Sequence, residues 1–141
     1  METEVLVSTD KEREFVTEQL MAYNRQVLGI SKEDYVVPLN FNLKNVSDKV
    51  VAGINANMFG KGSVYIGILW VDSKHRGKGY GAELLKKVEN EARKHGASMI
   101  HLDTFDFQAR GFYVKHGYEL FGAIGDSPTP GRLRFYLKKD L

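Results

Sequence analysis

The sequence predicts a single α/β domain in which helices flank a mixed β-sheet. Three observations predict it. An antiparallel meander of alternating segments occupies residues 37–71, a glycine-rich loop then enters an amphipathic helix, and another strand follows that helix. Short turns join antiparallel strands, whereas a strand, helix and strand in succession form a parallel crossover. We therefore expect a central sheet that combines an antiparallel meander with a parallel strand–helix–strand crossover.

The composition is that of an ordinary globular protein. We predict one domain, residues 1–141. Hydrophobic residues make up 43% and charged residues 27% of the 141 residues. A chain of this length buries a core without covalent staples. There is no cysteine, which excludes disulfides, thiolate metal sites and a cysteine nucleophile.

Charge and hydropathy exclude several partners. The net charge is +2, with 20 basic and 18 acidic residues well mixed, so we expect no nucleic-acid partner. No apolar run reaches the roughly 18 residues of a membrane span, and the N-terminus lacks the features of a signal peptide. We therefore expect no membrane partner and a cytoplasmic location. The four histidines lack metal-ligand spacing, so we expect no metal: His75, His95, His101 and His116.

The first helix is predicted to begin near Asp10 and to follow an initial strand. Thr9 and Glu12 have the spacing of a capping box, in which a hydroxyl and a carboxylate satisfy free amides reciprocally. Gly29 is a suitable stop. Four apolar residues then share one face at helical spacing: Val16, Leu20, Tyr23 and Val27.

Three strands are predicted next. Residues 37–43 and 50–58 alternate apolar and polar side chains, as half-buried strands do. Pro38 has no amide donor, which places it near a strand start or at a sheet edge. The third strand, Val64 to Val71, is apolar on both faces, which indicates a central position.

The second long helix follows the glycine-rich loop. Leu84, Leu85, Val88 and Ala92 form its apolar face with Gly81, and Gly96 closes it. Its other face is predicted to carry the pairs Glu83–Lys87, Lys87–Glu91 and Glu89–Arg93. A strand from Met99 to Phe105, a short helix from Phe107 to His116 and two strands around the loop 125–131 complete the chain.

The loop Arg76-Gly77-Lys78-Gly79-Tyr80-Gly81 is predicted to bind a diphosphate. Glycine lets the backbone curl tightly and lets a ligand approach the amides. The first amides of a helix have no internal partners and carry partial positive charge. A glycine-rich turn before a helix therefore binds phosphate.

Two other interpretations of the loop remain. Its glycines could serve packing alone in a tight turn. Alternatively, Gly77, Gly79 and Ala82 fit a dinucleotide-binding spacing, with Asp103 about 20 residues further on. The antiparallel lead-in argues against a dinucleotide fold, because such folds open with this unit. The spacing of a nucleoside-triphosphatase phosphate loop is absent.

Two motifs resemble those of the GCN5-related N-acetyltransferases (GNAT). Arg76-x-x-Gly79-x-Gly81 after a strand resembles the family's coenzyme A signature, and residues 108–118 resemble its second motif. The resemblance covers residues 64–121 closely and the order of elements more generally. It implies a GNAT-like fold, acetyl-CoA as the acyl donor and an amine as the acceptor.

The resemblance also implies site residues. The strand before the loop would splay from its neighbour and pair with the pantetheine arm through the backbone of Leu69, Trp70 and Val71. Gln108 occupies a position where the family has Asn, and Tyr113 matches the tyrosine that protonates the departing thiolate. The residues alone also allow Tyr113 to be a core aromatic. The diphosphate would be held by the loop residues: Arg76, Gly77, Lys78, Gly79, Tyr80, Gly81 and Ala82.

The predicted reaction is direct attack of the amine on the thioester, with a backbone amide near Val71 polarising the carbonyl. The absence of cysteine is consistent with no covalent enzyme intermediate, although it does not exclude Ser73 or Thr104 as a nucleophile. The central strand offers no carboxylate before Asp72, so the base that accepts the proton of the amine is not assigned. Its candidates are Asp103, His101, Asp106 and Tyr65 acting through water.

The acceptor is predicted to be a small-molecule amine, with a protein amine as the second choice. We expect the first helix, residues 30–36 and the loop 125–131 to build the acceptor site. The competing class is a non-catalytic acyl-CoA-binding module, which would keep the loop and lose the acid. Oligomeric state stays open, although the final alternating strand offers an edge that could pair in a homo-oligomer.

Overall fold

A computed structural model describes residues 2–141, in which four α-helices and seven β-strands follow one another. The helices are α1 (Asp10–Leu28), α2 (Lys32–Tyr35), α3 (Tyr80–Lys94) and α4 (Arg110–Lys115). The strands are β1 (Val36–Pro38), β2 (Phe41–Lys44), β3 (Val50–Phe59), β4 (Ser63–Val71), β5 (Met99–Phe105), β6 (Glu119–Gly125) and β7 (Leu133–Asp140).

All the strands join one mixed sheet in the order β1-β3-β4-β5-β7-β6, and β2 also pairs with β3. The pairing of β4 with β5 is parallel and the other pairings are antiparallel. Helix α3 makes the crossover between the two parallel strands. The predicted fold class, a mixed sheet with an antiparallel meander and a parallel crossover, is therefore confirmed.

The two faces of this sheet differ in burial. Along β5, Ile100, Leu102 and Thr104 are buried, while the residues that alternate with them are only partly covered. Helix α3 packs on the buried face through Leu84, Leu85, Val88 and Ala92, as predicted. We call the opposite side the open face, because in the described chain none of its residues is fully buried. Its larger side chains are Phe59, Tyr65, Ile68, Trp70, His101, Asp103, Phe105, Phe121, Ile124, Arg134, Tyr136 and Lys138.

Glu89 corrects the predicted charge pattern on α3. It is buried, and its carboxylate pairs with Lys139 of β7 instead of Arg93. Among the three predicted pairs on this helix, the structure contains Lys87–Glu91, at 2.9 Å. Glu89 therefore belongs to the packed side of the helix and not to its solvated side.

The first part of the chain departs from prediction. Residues 2–9 form no strand ahead of α1. The capping box of Thr9 and Glu12 is present, and Gly29 ends α1 in the left-handed conformation. The predicted strand over residues 37–43 is divided between β1 and β2, with Pro38 at the end of an edge segment. In the gap, Ala56 on β3 donates its amide to the side chain of Asn40.

Candidate cofactor and catalytic cleft

A cleft of about 830 Å³ opens where β4 and β5 separate, between the N-terminus of α3 and α4. This volume lies within the range of small-molecule and cofactor sites, about 300–1,000 Å³. It is lined by residues 66–71, 75–77 and 79–82 on one side and by residues 103–104, 107–109, 112–113 and 115–116 on the other.

The separation of β4 from β5 leaves backbone groups free along the cleft. The parallel pairing stops at Ile66 and Leu102. Gly67 is bulged out of register against β3, and β4 then continues to Val71 without a partner on the β5 side. The splay that the resemblance implied is therefore present, and residues 69–71 carry the exposed backbone.

The N-terminus of α3 faces the same cleft without a side-chain cap. Gly79 is its N-cap with φ of 83°, and Gly77 has φ of 77°. Both need glycine for this left-handed backbone. Gly81 has a different role, because a β-carbon there would lie 3.4 Å from the Phe112 ring. The amides of the first turn, residues 80–82, have no partner among the described residues and are free to donate to an anion.

Charged side chains surround this helix end. Arg76 donates from Nε to the carbonyl oxygen of Val71 at 3.1 Å, which holds its guanidinium at the end of β4. Asp72 caps the short 3-10 turn over Ser73–His75, and His75 Nδ1 lies 2.9 Å from its carboxylate. This hydrogen bond holds the pKa of Asp72 below its usual value. Lys78 does not line the cleft, so it differs from the other predicted loop residues.

Tyr113 combines a buried ring with a hydroxyl that stays accessible. Its ring packs edge-on against Phe112 and Tyr118, and the residue is only 7% exposed. Among residues 2–141 the hydroxyl has no hydrogen-bond partner, but its oxygen is not fully buried. Burial, and then the negative charge of Asp103, raise the pKa of Tyr113 to about 12. The hydroxyl therefore keeps its proton at neutral pH and can donate it.

Gln108 turns its amide oxygen inward. That oxygen accepts hydrogen bonds from the backbone amide of Phe105 at 2.7 Å and from the hydroxyl of Thr104 at 3.2 Å. These bonds close the turn between β5 and α4. Gln108 can therefore offer a ligand in the cleft only its side-chain NH2 group.

Of the four candidate bases, only Asp103 lines the described cleft. Its carboxylate accepts from the Tyr65 hydroxyl at 2.6 Å and from two nitrogens of Arg134 at 3.0 and 2.7 Å. Bonding to this carboxylate is the main cause that raises the pKa of Tyr65. Burial lowers the pKa of His101, whose ring lies tilted against that of Tyr65 on the open face.

Asp106 lies outside the cleft and holds the chain at the start of β7. Its carboxylate accepts from the amide of Leu133 at 3.2 Å and pairs with Arg132 at 3.6 Å. The cleft is also lined by two side chains that were not predicted as site residues, Lys115 and His116 at the end of α4. Their positions depend on how α4 faces α3, which local spacing does not encode.

The segments expected to build the acceptor site are absent from the cleft lining. Neither α1, residues 30–36 nor the loop 125–131 contributes to it in the described chain. Within residues 2–141 no cluster of three or more His, Asp or Glu side chains is placed to hold a metal ion. No helix in the described chain has both the length and the apolar character to cross a membrane.

A splayed mixed sheet with an uncapped helix terminus at the gap defines a class of ligand-binding α/β domain, and comparison with known proteins gives the family. The profile of the Acetyltransferase (GNAT) family matches residues 7–118. The chain belongs to this family of acetyltransferases.

Individual relatives are also acetyltransferases. An acetyltransferase crystal structure from Bacillus cereus is 31% identical, with a TM-score of 0.84 over 99% of this chain and 98% of that one. The blasticidin-S acetyltransferase of Streptomyces morookaense is 40% identical over 79 residues, which span 55% of this chain and 57% of the relative. An aminoglycoside 6'-N-acetyltransferase complexed with coenzyme A shares the fold, with a TM-score of 0.66 and 16% identity over 97% of each chain.

Proposed function

We propose that this protein transfers an acetyl group from acetyl-CoA to a primary amine of a small molecule by direct attack. One observation carries the proposal. The free backbone of β4, the uncapped N-terminus of α3 and the accessible hydroxyl of Tyr113 all line one cleft. These are three different chemical groups, and each suits a different part of one acyl-CoA.

The residues present fit coenzyme A. The backbone groups of residues 69–71 that point away from β3, other than the Val71 carbonyl bonded to Arg76, match an arm that carries amides of its own, such as pantetheine. The diphosphate would lie on the first turn of α3, between the left-handed glycines Gly77 and Gly79, with Arg76 beside it. Lys78 would act only at longer range, because its side chain lies outside the cleft. Coenzyme A in the structure of the aminoglycoside relative supports this proposal.

The chemistry follows from the groups at the sulfur end of the cleft. Acetyl-CoA supplies an activated acyl thioester. As the new C–N bond forms and the C–S bond breaks, the backbone amide near Val71 would hold the thioester carbonyl and Tyr113 would donate its proton to the departing sulfur. Solvent water would take the proton that the attacking nitrogen loses and return one to Tyr113. Because burial keeps the pKa of Tyr113 near 12, this hydroxyl acts as an acid and not as a base. We infer that Asp103 receives the ammonium group of the acceptor, since it is the candidate base in the cleft.

A small-molecule acceptor is supported by the relatives, whose names refer to blasticidin S and to an aminoglycoside. The experiment is a panel of amines with acetyl-CoA, in which a thiol reagent reads the release of coenzyme A. The protein contains no cysteine, so the reagent reports the released coenzyme alone. We expect turnover with at least one small amine, and acetyl-CoA used ahead of longer acyl donors.

The Tyr113→Phe variant separates catalysis from binding. It should lower kcat by about 10²–10⁴-fold, the usual range for loss of a general acid, while calorimetry shows unchanged acetyl-CoA affinity. An unchanged kcat would remove Tyr113 from the mechanism. Tight coenzyme A binding without turnover across the panel would favour a non-catalytic acyl-CoA-binding module, and turnover with peptide amines alone would favour a protein acceptor.

A further inference from the structure

Helix α1 turns its apolar side away from its own chain. Val16, Leu20, Tyr23 and Val27, which we call the α1 stripe, are 62–65% exposed. The side that faces the body includes Met21 but is otherwise polar: Arg25 pairs with Glu18 at 2.6 Å, and Asn24 donates to the hydroxyl of Tyr35. The helical spacing predicted this stripe as one face, but in the described chain it has no partner, since α1 contributes no buried residue.

The end of α1 fixes this orientation. Ile30 donates its amide to the carbonyl oxygen of Arg25, and Gly29 turns the chain in the left-handed conformation. Leu28 and Ile30 then lie beside Gly60 in the turn between β3 and β4. These contacts keep the polar side of α1 toward the body, so the α1 stripe does not reach the open face of its own sheet.

A second unpartnered apolar surface lies on the same chain. On the open face, Phe59, Ile68, Trp70, Phe121 and Ile124 are 39–57% exposed. Residues 5–7, Val-Leu-Val, precede α1 and are 72–101% exposed. The open-face side chains flank the polar groups of β5 and β7, and exposed apolar patches bordered by polar residues mark interaction sites.

We propose that the α1 stripe packs on the open face of a second copy of this chain. Two copies related by a two-fold axis would each give a helix and receive one, so both surfaces are covered at once. The stripe spans about 16 Å along the helix, and strands lie about 4.8 Å apart. The stripe therefore spans about three strand spacings, so one helix crosses the four neighbouring strands β4, β5, β7 and β6.

The area is sufficient for a stable dimer. A half-exposed large apolar side chain offers about 100 Å². The stripe, residues 5–7 and the five exposed open-face side chains together offer about 1,200 Å², more than the ~800 Å² that each partner buries in a standard interface. Ile68 and Trp70 belong both to the open face and to the cleft lining. The helix of the second copy therefore walls the side of the cleft that its own chain leaves open.

The test uses oligomeric state and the single tryptophan of the chain, Trp70, so it is independent of the proposed chemistry. By light scattering the protein should have twice its chain mass of 16.0 kDa. Two variants should be monomeric: Leu20→Glu with Tyr23→Glu on the helix, and Phe121→Glu on the sheet. In both variants Trp70 emission, measured without ligand, should move to longer wavelength because the ring becomes exposed to water.

Val46→Glu is the matched control, since this apolar residue is fully exposed in the turn before β3. It should leave the dimer and the emission unchanged, and circular dichroism should show all variants folded. A monomeric wild type overturns the proposal, as does a dimer that survives the helix double variant. A double variant that is monomeric with unchanged Trp70 emission also overturns it, because the helix would then dock away from the open face.

Discussion

Glu89 of α3 and Lys139 of β7 form a largely buried ion pair, with Nζ 3.2 and 3.0 Å from the two carboxylate oxygens. The Tyr118 hydroxyl also donates to Glu89 at 3.0 Å, and Lys139 donates to the carbonyl oxygen of His116. Burial and the charge of Glu89 strongly raise the pKa of Tyr118. The network ties α3 to the end of α4, so it holds the two walls of the cleft at a fixed separation.

Glu89→Gln should therefore destabilise the protein more than an equivalent change at an exposed pair. It leaves Lys139 without a counter-charge in a site where the Lys139 side chain is 24% exposed. We expect a loss of about 2–3 kcal/mol in the free energy of unfolding, somewhat below the range for fully buried pairs. For a domain of this size the melting temperature should fall by about 5–10 °C.

Glu91→Gln is its control on the same helix, because Glu91 pairs with the more exposed Lys87 and Lys94. Its effect should stay under about 1 kcal/mol. Urea unfolding of both variants checks the difference. Equal losses would mean that the Glu89 pair contributes no more than a surface pair.

Glu89 also shows where prediction from sequence ends. The apolar face of α3 and the capping box of α1 follow from spacing within one turn or two of helix, and both were predictable. Glu89 has the spacing of a surface pair with Arg93, while its actual partner lies 50 residues away. That partnership depends on the tertiary approach of β7, which no local pattern carries.

The candidate site also contains features that the sequence predicted and features that it did not. The loop and Tyr113 could be identified because short motifs encode them, and the structure brings them to one cleft. The inward turn of Gln108 and the pairing of Asp103 with Arg134 were not predictable, because they depend on the geometry between strands. The outward stripe of α1 also could not be predicted, since amphipathic spacing shows that a face needs cover without showing which surface covers it.

Gly79→Ala should weaken both the fold and coenzyme A binding. The residue has φ of 83° at the N-cap of α3, a conformation that costs an alanine about 1–2 kcal/mol. Relief of this strain would shift the amides of the first turn away from the diphosphate. We expect the free energy of unfolding to fall by that amount and the Kd for coenzyme A to rise by about tenfold, or 1.4 kcal/mol.

Gly125→Ala is the comparison for this glycine. Gly125 lacks a positive φ, and an added β-carbon there would contact nothing within 4 Å of the described residues. Calorimetry should find its coenzyme A affinity unchanged. If Gly79→Ala also kept full affinity, the N-terminus of α3 would not be the diphosphate site.

Asp103→Asn should impair use of the amine while leaving the donor site intact. The carboxylate lies in the cleft and would attract the ammonium group of the acceptor, a role that a neutral amide does not fill. We expect kcat/KM for the amine to fall by about tenfold, equal to about 1.4 kcal/mol, with unchanged acetyl-CoA affinity.

Asp106→Asn provides the control, because Asp106 lies just beyond the same strand and outside the cleft lining. Steady-state kinetics with varied amine should show near wild-type kcat/KM for this variant. Similar losses in both would show that Asp103 acts through the fold and not on the acceptor. Thermal unfolding of both variants separates the loss of the Arg134 pair from the loss of the charge.

The pH dependence of the reaction should be a single rise. The amine binds as an ammonium but attacks in its neutral form, so kcat at saturating amine increases with pH until the bound amine has lost its proton. Tyr113 must keep its proton to act as an acid, and its pKa of about 12 means that it does so throughout the working range. We therefore expect a plateau with no fall before about pH 10, the pKa of an ordinary tyrosine.

Tyr113→Phe should lower the whole profile and keep its shape, because the rise belongs to the amine. Stopped-time assays with one amine across this range test it: a descending limb between pH 7 and 9 that vanishes in Tyr113→Phe would mean that the hydroxyl loses its proton far earlier than its burial implies.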